Sequence, residues 1–192
     1  MPAFTAADEV IHFWFGEPPR DETREAWFKK SDAFDAEIRS RFGARVEQAL
    51  GGGLREWDAT PLGALARILL LDQFTRNIFR GTAKSFAGDA LALAAARRLV
   101  AHGDDRWLSG TMRCFVYLPY EHCEDGAVQA ESLRLFAELA ASDPRQAEVE
   151  VWARKHEAII ARFGRYPHRN ALRGRESTSE EIEFRRQPGS SF

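Results

Sequence analysis

Leu62-Gly63-Ala64-Leu65-Ala66-Arg67-Ile68-Leu69-Leu70-Leu71-Asp72-Gln73-Phe74-Thr75-Arg76-Asn77-Ile78-Phe79-Arg80 is the stretch whose periodicity decides the fold class. A helix turns about 100° per residue, so with Leu65 at zero Asp72, Gln73, Arg76, Asn77 and Arg80 fall between about −20° and 120°. Leu70, Leu71, Phe74 and Ile78 cover the opposite arc. Thr60-Pro61 supplies a capping residue and then proline at the first helical position, and Gly81 is a stop. The spacing predicts a helix from Pro61 to about Phe79. Its N-terminal half is apolar nearly all round. A surface helix would show one apolar face, so this one is predicted to be central, with a polar stripe in its second half.

Outward from it, helical periodicity dominates and no alternating strand pattern occurs. Thr5 caps a helix to Phe15 with Asp8 and Glu9 in its first turn, and Gly16-Glu17-Pro18-Pro19 is a turn. A short helix is expected over Glu22 to Phe28, then a long one from Phe34 to Leu50, capped by Ser31 and stopped at Gly51-Gly52-Gly53. Further helices are expected over Ser85–His102, Asp105–Tyr117 (before Pro119), Glu121–Ala140 and Pro144–Phe163. Ser177 or Thr178 starts a last one, with Glu180 or Glu181 completing a capping box. Eight or nine helices with short connections predict one all-α domain over residues 1–192, its neighbours packed as antiparallel hairpins.

Composition narrows the function classes. With 44% hydrophobic and 29% charged residues, the chain has the makings of a full core. A net charge of −2 gives no ground for a nucleic-acid or membrane-surface partner. The most apolar stretch, Pro61–Leu71, is interrupted by Arg67 and too short to span a bilayer. Cys114 and Cys123 form no C-x-x-C pair and read as free thiols. The N-terminal segment lacks a leader pattern, and the expected location is the cytoplasm.

The polar stripe has three readings: a solvated face with an Asp72–Arg76 pair, a buried structural network, or the lining of a polar cavity. Buried charge is costly unless paired, so the last two need partners elsewhere. Tyr117-Leu118-Pro119-Tyr120-Glu121-His122-Cys123-Glu124-Asp125 offers some. Glu121 and Glu124 share the helical arc of Val128, Leu135 and Leu139 and can point inward; alternatively they are first-turn acids favoured by the helix dipole. A metal at His122 would need a second ligand cluster, and none is expected. The second segment, Arg162-Phe163-Gly164-Arg165-Tyr166-Pro167-His168-Arg169-Asn170-Ala171-Leu172-Arg173-Gly174-Arg175, carries five arginines. Their forks suit carboxylate or phosphate, unless the loop is simply a basic surface. His156 and His12 read as structural.

The functional reading is a pocket for a small anion with a phosphate or carboxylate group. Asp72, Gln73, Arg76, Asn77, Arg80, Glu124, Arg165, Arg169, Asn170 and Arg175 would line it. Glu121 or Glu124 would act as general base, and His168 would transfer a proton. The identity of any cofactor is left unknown by the sequence. G-x-S-x-G and H-E-x-x-H are absent, and Gly81-Thr82-Ala83-Lys84-Ser85 lacks the glycine a P-loop places beside its lysine.

The segments Leu70–Gly81, Tyr117–Asp125 and Phe163–Asn170, with Phe13-Trp14-Phe15-Gly16 and Trp27-Phe28, resemble domain-of-unknown-function family 924 of bacteria. In that family Ser is commoner at the place of Cys123 and Phe at the place of Tyr166. The first difference puts any role for a hydroxyl there in doubt. The resemblance implies a TPR-like stack of helical hairpins and no established activity. Such stacks present concave surfaces, so the alternative function is a protein-interaction module without catalysis.

Overall fold

The computed structural model describes residues 4–27 and 29–190. Among them are eight α-helices and no strand. They are α1 (Ala6–Phe15), α2 (Asp32–Leu50), α3, α4 (Asp89–Ala101), α5 (Gly110–Glu121), α6 (Gly126–Ser142), α7 (Ala147–Phe163) and α8 (Ser179–Arg185). The third, α3, runs as Pro61–Leu69, a π-helical turn at Leu70–Phe74, and Thr75–Ile78. The all-helical expectation holds. Of the short helix expected over Glu22–Phe28, a 3₁₀ turn at Glu25–Trp27 forms, and residue 28 lies outside the described residues.

Capping follows the sequence. Thr5 and Thr178 each close a capping box, with Asp8 and Glu181 respectively. Ser31 and Thr60 accept from Phe34 N and Gly63 N. Leu65, Ala66, Ile68, Leu69, Leu70, Leu71 and Phe74 are wholly buried, so α3 is the central helix as predicted. It packs against α1, α2, α4 and α5, while α6 and α7 lie along each other as a hairpin. Arg67, buried in the apolar half, is matched by Asp58 at 2.7 Å. Aromatic rings fill the space between α1, α2 and α3, with Phe13, Phe42 and Phe74 mutually in contact.

Some helices begin later than expected, at Asp89 rather than Ser85 and at Gly110 rather than Asp105, and two further differences reposition candidate site residues. The helix expected to stop at Tyr117 continues through Pro119 to Glu121. A proline in the final turn forfeits a single backbone bond there, and α5 tolerates it. Glu121 is therefore the last residue of α5, not the first of the next helix. Asp125 caps α6, accepting from Ala127 N and Val128 N, which leaves Glu124 in the connection. The dipole reading of the two glutamates is thereby excluded. The second difference is the π turn, where Thr75 Oγ1 bonds back to Leu71 O and Asp72 O at 2.8 and 3.0 Å. A π turn holds more residues than an α turn, so the following side chains leave the ideal arc.

Gly88 fixes one further contact. A Cβ there would lie 2.1 Å from Leu71 O, so only glycine lets the start of α4 approach α3 this closely. That approach sets Asp89 beside Arg76.

Candidate functional site

Asp72 lies in the π turn and is wholly buried. Its Oδ1 is 3.0 Å from Arg76 Nη1 and 2.7 Å from His122 Nδ1, while Gln73 Nε2 donates to Oδ2. Burial alone would raise its pKa, but Arg76, His122 and Gln73 together hold it well below the usual carboxylate range. Because an ionised carboxylate only accepts, His122 donates through Nδ1–H and keeps Nε2 as an acceptor. Burial and the Arg76 charge push the His122 pKa down against the pull of Asp72, which favours the neutral ring.

On its other side Arg76 Nη2 meets Asp89 Oδ1 at 2.9 Å. Asp89 Oδ2 is 3.2 Å from Arg169 Nη1 and 3.6 Å from Arg173 Nη2. These three guanidiniums all lie over the Phe86 ring, at 5.8, 4.7 and 5.2 Å from its centroid for Arg76, Arg169 and Arg173. Arg169, only 3% exposed, also covers Tyr166 at 4.7 Å. Glu124 grips Arg175 in a fork of 2.6 and 2.9 Å and accepts from Tyr166 N at 2.8 Å. Burial opposes ionisation of Glu124, but Arg175 and the Tyr166 amide keep its pKa low. A hollow of about 480 Å³ opens here, lined by Ala83, Phe86, Ala87, Arg173 and Arg175.

A second carboxylate–imidazole pair lies deeper. His156 Nδ1 is 3.0 Å from Glu121 Oε1 and 2.9 Å from Trp152 O. Burial, helped by the Asp72 charge, pushes Glu121 up to about 8. Burial pushes His156 down to about 3. At neutral pH this favours the carboxylic acid form of Glu121, whereas the general-base role expected of it or of Glu124 needs a carboxylate. The two imidazoles face each other edge to face, 6.5 Å between centroids. His168 lies against Tyr166 at 5.6 Å, its pKa pushed down to about 4 by burial and by Arg169.

The structure thus brings Asp72, Gln73, Arg76, Glu121, Glu124, His168, Arg169 and Arg175 into one region. Four expected residues go elsewhere. Asn77 and Arg80 both bind Asp35 of α2, with Asn77 Nδ2 at 2.7 Å and Arg80 Nε at 2.7 Å. The helix ends at Ile78, so Arg80 lies beyond the arc computed for it. Arg165 forks onto Glu181 at 2.6 and 2.8 Å, and Asn170 bonds Ser177 and the same glutamate, tying the arginine-rich loop to α8. Sequence reasoning missed Asp89, Phe86 and Arg173, and placed His156 in the core without its glutamate. Asp89 had a signal, an acid at a helix start, but that reads equally as dipole complement. Among the described residues no three His, Cys, Asp or Glu side chains are arranged to hold a metal ion.

Residues 10–189 match the model of a family described as bacterial protein of unknown function (DUF924). The chain belongs to this family. It is also similar to a solved structure, the protein of unknown function ATU0120 from Agrobacterium tumefaciens. The two share 37% identity over 93% of this chain and 95% of that one, with a TM-score of 0.82. No curated protein matches the chain. Family and neighbour alike leave the function unknown.

Proposed function

We propose that the protein binds a small anion, a phosphate or carboxylate, at the hollow beside Phe86. One observation carries this reading: Arg173 and Arg175 line the hollow, Arg76 and Arg169 share the Phe86 ring with Arg173, and two buried donors, Nε of Arg169 and Nε of Arg175, have no hydrogen-bond partner. A buried donor left unpaired costs about 1–3 kcal/mol, which a ligand oxygen would recover. Four guanidiniums face three carboxylates, Asp72, Asp89 and Glu124, each paired with at least one of them, and burial favours the protonated form of Glu121. The N-terminus of α4 adds the positive end of a helix dipole, and Gly88 before it has no side chain to cap it.

The same reading supplies proton-transfer groups. His122, oriented by Asp72, offers Nε2 as an acceptor, and Glu121 holds a proton to give; His168 is a third neutral group. The free thiols of Cys114 and Cys123 fit the cytoplasmic location that forms part of the proposal. No described helix is long and apolar enough to cross a membrane.

A thermal-shift titration at low salt with inorganic phosphate and short dicarboxylates tests the proposal. At a hundredfold excess over Kd, binding adds about 2.7 kcal/mol, or about 5–10 °C in Tm for a domain this size. Arg169→Ala is expected to abolish the response. If no anion shifts the transition, or the response survives Arg169→Ala, the interaction-module reading replaces this one.

A further inference from the structure

Asp89 is the first residue of α4, and its carboxylate stands where three guanidiniums meet. The seat is imperfect. Arg76 Nη2 approaches Oδ1 to 2.9 Å, yet neither atom makes a well-directed hydrogen bond. Arg169 reaches Oδ2 at 3.2 Å through one nitrogen, and Arg173 stays at 3.6 Å. In the same site Glu124 and Arg175 show what a committed pair looks like: two parallel bonds of 2.6 and 2.9 Å. Asp89 thus offers one negative charge to several forks that it does not match in geometry. It is part-exposed and is separated by Gly88 alone from Phe86 and Ala87, which line the hollow.

Resting on the anion-binding reading above, we propose that Asp89 is an internal counter-ion that stands in for the ligand's acidic group and makes the site selective for dianions, phosphate monoesters before monocarboxylates. A monoanion that displaces Asp89 exchanges one unit charge for another and gains little. A dianion brings a second unit to the same guanidiniums and keeps a net attraction. The main chain at Gly88 is held close to Leu71 O, so Asp89 yields by rotation of its part-exposed side chain.

Isothermal titration of the protein with inorganic phosphate and with acetate, at about pH 7.5 and low salt, tests this. Wild type is expected to favour phosphate by about tenfold or more, and Asp89→Asn to tighten both anions by about tenfold. Equal affinity for the two anions in wild type overturns the inference. So does an Asp89→Asn protein that binds them no better or worse than wild type, which would make Asp89 a scaffold for the arginines. Should the asparagine variant not fold, Asp89→Ser serves for the second comparison, and the wild-type ratio decides the first. If phosphate binds and Arg169→Ala removes it while Asp89→Asn has no effect, only the role of Asp89 falls. If neither anion binds wild type or variant, the anion site itself falls and this inference with it.

Discussion

Replacing Glu121 by Gln should make the protein more stable at alkaline pH, and the size of the effect follows from where the carboxyl sits. Glu121 is 4% exposed at the C-terminal end of α5, with His156 as neighbour and the Asp72 charge nearby. Burial first and Asp72 second raise its pKa from 4.5 to about 8. The folded protein therefore keeps a proton that the unfolded chain has already released. Its contribution to stability is complete below pH 4.5 and is lost as pH rises towards 8, at about 1.4 kcal/mol per pH unit. Full conversion over that window would approach about 5 kcal/mol; relaxation and water entry reduce the expected loss to about 2–3 kcal/mol. His156 and His168, pushed down to about 3 and about 4 by burial, act in the opposite sense: their contribution is present above pH 6.5 and lost as pH falls. That effect is common to both proteins and cancels in their difference. Glutamine keeps the shape of the protonated acid without its ionisation. Urea melts of both proteins at about pH 5.5, 7 and 8.5 would read the result. Because part of that loss is already over by pH 5.5, the variant should gain about 1–2 kcal/mol on wild type across that range. A difference that stays constant within about 0.5 kcal/mol would refute the buried, protonated glutamate.

Three further outcomes are expected. Asp72→Ala strands Arg76 beside the π turn; since Asp89 still faces that guanidinium, the cost should be about 2–4 kcal/mol, with a smaller combined cost than additive for Asp72→Ala/Arg76→Ala in urea melts. Gly88→Ala drives a Cβ against Leu71 O and should cost about 2–4 kcal/mol, while weakening phosphate binding by moving Asp89. Arg80→Ala should leave the anion thermal shift unchanged, because its fork is engaged with Asp35 and not with the hollow; a lost response would return Arg80 to the site.

Much of the fold was readable because local rules agreed with one another. Thr5, Ser31, Thr60 and Thr178 all cap helices as their spacing predicts. Leu70, Phe74, Ile78, Val128, Leu135 and Leu139, all on apolar arcs read from periodicity, are buried. Where the reading failed, the missing information was non-local. Pro119 ends a helix in isolation, but here the turn that contains it is packed in the core, with Val116, Tyr117, Pro119 and Tyr120 buried. Packing outweighs one lost backbone bond.

The candidate site shows the same division more sharply. An ideal helical arc correctly joined Asp72 to Arg76 and wrongly added Asn77 and Arg80. The π turn at Leu70–Phe74 and the helix end at Ile78 separate the two groups, and neither is marked by residue spacing. Thr75, whose hydroxyl bonds back to Leu71 O and Asp72 O, is the nearest thing to a local trace. A regular α-helix would satisfy its own carbonyls; here Arg76 Nη1 also bonds Asp72 O at 2.7 Å, so the irregular backbone and the charged side chains stabilise each other. The polar stripe that decided the central position of α3 thus divides at its π turn. Asn77 and Arg80 fasten α2 through Asp35. Asp72 and Arg76 turn towards His122 and Asp89, and that half belongs to the proposed anion site.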